Sequence, residues 1–191
     1  MFLLKINRTV KKKRLKGSFA KKKSMKSLII FPVLILSVLA LKAQPADSVK
    51  APYLLDKKLP FFKIMLTDSS FFYKDNLKKN RATIIILFSP ECDHCKKQIE
   101  QLIQNIDKFK KTQILMISPL PFTKIKEFYN EYQIHRYKNI KMGKDALYFF
   151  ANYFQTHYIP FIAAYDKNKQ LIKGWEGNVN TDDLIKAVNQ P

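Results

Sequence analysis

Thr83 to Ser89, TIIILFS, is an unbroken apolar run built mainly from β-branched residues. It does not alternate, so it cannot lie on a sheet with one wet face. It needs cover on both sides, as a strand has in the middle of a sheet flanked by helices. Pro90 stops the run, and from there the spacing turns helical, with Ile99, Leu102, Ile103, Ile106 and Phe109 on one face. The chain's two cysteines, Cys92 and Cys95, fall at that switch from strand to helix, with His94 between them.

The remaining pattern surrounds this junction with more of the same architecture. Residues 44–59, with Pro45 and Pro52, read as a lead-in. Phe61–Thr67 and Phe71–Tyr73 are short β-prone runs around Asp68-Ser69-Ser70, which suits a hairpin. Gln113–Ser118 is a second buried-strand candidate, stopped by Pro119, and Ile125, Phe128, Tyr129 and Tyr132 repeat at helical spacing. Asp145 is placed to cap a helix over Ala146–Phe154. Pro160 opens the strand FIAAY, the turn DKNK follows, and QLIKGW reads as the returning strand. Thr181 is placed to cap a last helix, Asp182–Val188, whose first turn carries two acids at its positive end. Strand, helix, strand, helix, hairpin and helix is an α/β order, a central sheet with helices on both faces.

At 191 residues the chain holds one domain with a full core plus an appendage, and 47% hydrophobic content argues for a folded globule. The formal charge of +20 suggests nucleic acid until its distribution is considered. Residues 1–43 hold twelve Lys and Arg and no acid, leaving 23 basic against 15 acidic residues beyond. Behind that basic segment lies Leu28–Leu41, a 14-residue apolar run. It has the length of a secretory h-region and falls short of the roughly 20 residues a spanning helix needs. A nucleic-acid-binding arm has no use for such a tail, so no nucleic-acid partner is expected. Met25 opens a complete signal peptide of its own and is the better start of translation, with cleavage after Ala43 or Ala40. The domain order is then 1–43 basic segment and signal, 44–59 lead-in, and 60–191 the folded domain, periplasmic or otherwise extracytoplasmic, with no stable membrane span after cleavage. Were the run retained as an anchor, the positive-inside rule would still place the domain outside.

A helix start presents free N–H groups and the positive end of the macrodipole, which stabilise an anion there. Cys92 should therefore have a depressed pKa and be nucleophilic, as cysteines in Cys-X-X-Cys motifs are. Cys95, three residues on, is within reach of the first sulfur and can resolve a mixed disulfide. His94, if protonated, favours the thiolate, while Asp93 and Glu91 act against it. Other uses of the pair stay open. A structural disulfide closing about four residues gains only about 2 kcal/mol, against nearly 5 for a loop of about a hundred. A zinc site lacks a second ligand pair, but Cu(I) could be held by Cys92, Cys95 and a histidine among His94, His135 and His157, making an exported copper-handling protein the alternative function. Ser89-x-x-Cys92 also admits peroxide reduction, which the adjacent second cysteine fits less simply.

With ATIIILFSPECDHCKKQIEQL, YIPFIAAYDKNKQLIKGWEG and LPFFKIMLTDSSFFYKDNLKKN in place, the chain resembles the thioredoxin-like superfamily over residues 60–188, in particular its exported TlpA-like thiol–disulfide oxidoreductases. The resemblance implies a thioredoxin fold, a central mixed sheet flanked by helices on both faces with an N-terminal β-hairpin extension. It implies Cys92 as attacking thiol and Cys95 as resolving thiol, with no cofactor beyond their redox-active disulfide. Pro160 is implied to be a cis-proline facing them, with the backbone of Ile159 binding the partner chain. The implied partners are cysteine-containing exported proteins and a membrane or periplasmic electron donor or acceptor. Two departures stand out: Pro90-Glu91 replaces the tryptophan usual before the first cysteine, the sole Trp175 lying far off, and the strand TIIILF carries no acid to take the resolving thiol's proton. If the signal reading is right, N-terminal sequencing of the exported protein starts at Leu41 or Gln44; a cytoplasmic protein with its first residues intact refutes it.

Overall fold

The computed structural model describes residues 50–189. The basic segment, the apolar run and the start at Met25 lie outside the described residues. Seven strands form one mixed sheet: β1 (Lys63–Leu66), β2 (Phe71–Tyr73), β3 (Thr83–Leu87), β4 (Gln113–Ser118), β5 (Ile140–Lys144), β6 (Phe161–Tyr165) and β7 (Leu171–Glu176). Their spatial order is β2-β1-β5-β4-β3-β6-β7. The helices are α1 (Pro52–Leu55), α2 (Asp93–Gln104), α3 (Phe122–Glu131), α4 (Phe149–Phe154) and α5 (Thr181–Val188).

The unbroken run sits where its composition demands. All five residues of β3 are buried, between β4, parallel to it, and β6, antiparallel. Period-2 alternation sends Ile84 and Ile86 to one face, under Ile99 and Leu102 of α2, Phe128 of α3 and Leu184 of α5. Ile85 and Leu87 go to the other, against Phe150 and Phe154 of α4 and Leu59 and Phe62 of the chain before β1. Each such buried side chain contributes about 1.5–3 kcal/mol, so the helices are held on both faces mainly by this strand and its neighbours.

Register then decides what meets at each end of the sheet. Leu87 lies opposite Phe161 of β6 and beside Ile117 of β4. The chain leaving β3 toward Cys92 and the chain entering β6 from Ile159 and Pro160 therefore emerge at the same end. The opposite end gathers the loops 77–82, 105–112, 133–139 and 166–170.

Several local expectations are revised. A strand at 140–144 was not read from the sequence; IKMGK carries two lysines and a glycine, yet it pairs with β4 in parallel and with β1 in antiparallel. Its Gly143 is required by close approach, because a Cβ there would stand 2.7 Å from the Met65 carbonyl oxygen. The helix expected over Ala146–Phe154 begins only at Phe149, after Tyr148 in a left-handed conformation (φ 53°). Asp145 still satisfies that helix start from further back, its carboxylate accepting the Phe149 and Phe150 amides at 2.9 and 2.7 Å. The last helix is capped by Asn180, which accepts from the Asp182 amide, and Thr181 is its first helical residue. The described end of the lead-in is built into the body: Leu59 is buried and Lys58 bridges to Gln170 at the start of β7.

The outer strand β2 is three residues long, and Lys63 stands over its Phe71 ring at 3.8 Å. Gly143→Ala drives a methyl into the β1 backbone and should lose about 1–3 kcal/mol in urea unfolding. An unchanged unfolding midpoint would mean that β1 and β5 are not paired this closely.

Candidate functional site

The site is built where β3 gives way to α2. Phe88 extends the sheet by one bond, its amide donating to the Ile117 carbonyl at 3.0 Å. Residues 89–92 then turn, the Cys92 amide donating to the Ser89 carbonyl at 3.1 Å. This turn delivers Cys92 to the N-cap of α2, in the position normally held by a serine or aspartate oxygen. Its sulfur performs the capping function and accepts the Cys95 amide at 3.3 Å.

The two thiols differ sharply in setting. Cys92 is half-buried and open to a partner, whereas Cys95 has no exposed surface. Burial, and then its hydrogen bond with Cys92, pushes the Cys95 thiol up to about 12; a backbone hydrogen bond at Ser89 opposes this without overcoming it. Across from Cys92 stands the Ile159 carbonyl, with an S···O distance of 3.9 Å. The Ile159–Pro160 peptide bond is cis. Ile159 is 39% exposed and Pro160 is buried.

The strand loop bearing Ile159 is fastened by a residue that no sequence signal marks. One carboxylate oxygen of Glu176, at the end of β7, accepts the Thr156 hydroxyl at 3.1 Å and the His157 amide at 2.9 Å, with the His157 ring 3.6 Å away. Chiefly the bond from the His157 amide holds the Glu176 carboxyl below its ordinary range. A second fastening ties α2 to the loop after β7. The buried Gln98 side chain accepts the Val179 amide at 2.6 Å, and Asn178 donates its side-chain amide to the His94 carbonyl at 2.8 Å. Gln98 could be read from sequence only as an amide at core spacing on α2. Beside Ile159 and Ser89 opens an apolar cavity of about 170 Å³, walled by Leu87, Phe88, Ile117 and Leu120.

Of the residues singled out in the sequence, Cys92, Cys95, Ile159 and Pro160 come together. Glu91, Asp93 and His94 border them at the surface, with Glu91 3.5 Å from Lys124 and Asp93 3.4 Å from Lys96. The other two histidines do not join the thiols: His157 is engaged by Glu176, and His135 lies in the turn Ile134–Arg136 at the other end of the sheet. Among the described residues no group of three His, Cys, Asp or Glu side chains is placed to hold a metal ion. Trp175 lies in β7, packed against the same core as Cys92.

No protein-family model and no curated protein matches the chain. Solved structures do. DsbF of MTB, in mixed oxidised and reduced forms, is 17% identical, with a TM-score of 0.57 over 66% of this chain and 91% of that one. A secreted disulfide oxidoreductase of Mycobacterium tuberculosis, described as homologous to DsbE of E. coli, is 14% identical, with a TM-score of 0.56 over 66% and 92%. The exposed lipoprotein thioredoxin Etrx1 of Streptococcus pneumoniae is 17% identical, with a TM-score of 0.54 over 66% and 96%. At these identities the likeness is one of fold: the chain has the thioredoxin-like fold.

The difference between the thiols has a direct chemical readout. Iodoacetamide at neutral pH should alkylate Cys92 in the reduced native protein and spare Cys95, and alkylate both in denaturant. Equal native labelling of the two would overturn the burial of Cys95.

Proposed function

We propose that this thioredoxin-fold chain is an extracytoplasmic thiol–disulfide oxidoreductase that exchanges electrons with cysteines of other exported proteins. The observation that carries the reading is the asymmetry of the pair: an accessible sulfur capping a helix start and a buried, protonated thiol three residues on. Disulfide exchange needs such a division, because the attacking sulfur must reach a partner and the resolving one must wait.

In the reducing direction, the Cys92 thiolate attacks one sulfur of a partner's disulfide and displaces the other as a thiolate, which takes up a proton. Cys95 then loses its proton and attacks the Cys92 sulfur, closing the Cys92–Cys95 bond and releasing the second partner thiolate. Two electrons pass to the partner; the Cys95 proton accounts for one of the two protons its thiols take up and solvent supplies the other, and no cofactor besides the dithiol is needed. The oxidising direction is the same path reversed. The raised Cys95 value protects the mixed disulfide from premature resolution, since only the deprotonated sulfur attacks. Bringing the partner's chain alongside Ile159 sets its sulfur in line with Cys92, and Pro160 shapes that surface. Glu176 is a positioning residue for the same loop, while Glu91, Asp93 and His94 set the charge around the outer sulfur.

Export is supported by the apolar run behind a basic segment and by secretion or surface exposure in the descriptions of two structural neighbours. Among the described residues no helix is long and apolar enough to cross a membrane. Partners follow from the chemistry: cysteine-containing exported proteins, and a membrane or periplasmic dithiol or disulfide that resets the pair.

Cys92→Ser should abolish turnover of an insulin-type disulfide and trap no partner, whereas Cys95→Ser should accumulate mixed disulfides visible on non-reducing gels. Reduction of insulin by Cys92→Ser at the parental rate would refute the assignment.

A further inference from the structure

The body's excess positive charge is not spread over its surface. The loops 77–82, 105–112, 133–139 and 166–170, with the first turn of β5, lie at the end of the sheet remote from Cys92. Residues 77–82, 105–112, 133–141 and 166–170 carry eleven Lys and Arg against two acids, Asp107 and Asp166. Asp68, in the turn between β1 and β2, is a third acid near Lys141. These loops form one continuous surface. The Lys169 ammonium donates to the Arg81 carbonyl at 2.5 Å, and the Arg81 guanidinium to the Lys110 carbonyl at 3.4 Å. Gln113 bonds the Lys78 backbone, and Asn139 donates to the carbonyls of Phe109 and Thr112.

Lys108 and Lys110 are engaged with Asp182 and Asp107. Lys78, Lys79, Lys111, Lys138, Lys141 and Lys167 are exposed and form no ion pair among the described residues. Around the thiols the opposite holds, since Lys96 and Lys124 are matched by Asp93 and Glu91. Among the described residues the sheet therefore has one strongly cationic end, and it is the end away from the redox pair.

We propose that this end docks on anionic phospholipid headgroups, so that the thiols face away from the membrane. The inference rests on the reading that the chain is exported. Two features favour lipid over nucleic acid. Nine of the eleven cations are lysines, compact point charges suited to a diffuse anionic surface, whereas arginine is the residue of bidentate phosphate recognition. The exposed large apolar side chains all lie outside these loops, so bases find no stacking platform there.

The test is lysine footprinting of the full chain by sulfosuccinimidyl acetate and mass spectrometry, on vesicles of phosphatidylcholine alone or with phosphatidylglycerol. Phosphatidylglycerol should cut labelling of Lys78, Lys79, Lys111 and Lys138 about threefold and spare Lys96, Lys97 and Lys186, an effect that high salt removes. A full chain carrying K78Q, K79Q, K138Q and K141Q should lose the protection of Lys111 and Lys167 while reducing insulin as the parent does. Uniform labelling at the two ends of the sheet, or protection that salt leaves intact, overturns the proposal. So does protection of the same lysines by duplex DNA at physiological salt when vesicles leave them labelled. A parent chain that shows this footprint but does not reduce insulin refutes the redox reading alone.

Discussion

The site depends on the pairing of β6 with β3. Because Leu87 stands opposite Phe161, the turn carrying Cys92 and the residue pair Ile159-Pro160 leave the sheet side by side. No direct bond between the two segments is strong enough to bring them together; the S···O contact at 3.9 Å is too long for that. Their meeting is a product of the register, and the register is a product of burial. A slip of one residue would turn the side chains of a strand to the opposite face, exchanging the environments of Ile84 and Ile85 and exposing the mismatch to helices on both sides. The core thus acts as the ruler that sets the geometry of the thiols.

Much of this was legible in the sequence, and the reasons are specific. The run at 83–89 declared a strand with two dry faces because no polar residue interrupts it. The cysteines declared a helix start because helical spacing resumes directly after them. Where the sequence was silent, the cause was tertiary. The strand at 140–144 has little pattern of its own; Lys141 and Lys144 dilute it, and only the approach of the Met65 carbonyl explains its glycine. Asp145 reads as a helix-capping residue in the sequence and does satisfy the helix start, but from three positions before the N-cap, because the left-handed Tyr148 delays the helix. Glu176 and Gln98 carry no motif. Their roles arise from chain segments brought together across β7 and α2, which local pattern cannot register.

The chemistry of the pair likewise comes from ordinary packing. Cys95 occupies a core position of α2 in line with Ile99 and Leu102, so the environment that holds the helix to the sheet also holds the second thiol protonated. The strand beneath supplies no carboxylate, its residues being Thr83 and four aliphatic side chains. In the proposed exchange, the proton released during resolution leaves through the partner's thiolate or solvent rather than into the core. One end of the sheet carries the two thiols and the other the lysine-rich loops, and the parallel strands β3, β4 and β5 run between them.

A protein that docks other chains beside its sheet, as the proposed function requires, runs the hazard of nucleating them. Its outer strand β2 offers only three residues of free backbone with a lysine folded over its one exposed ring, and the beginning of β7 is covered by the lead-in at Lys58. A foreign strand finds little template at the β2 margin. At that margin, addition of a docked chain as a further strand is disfavoured.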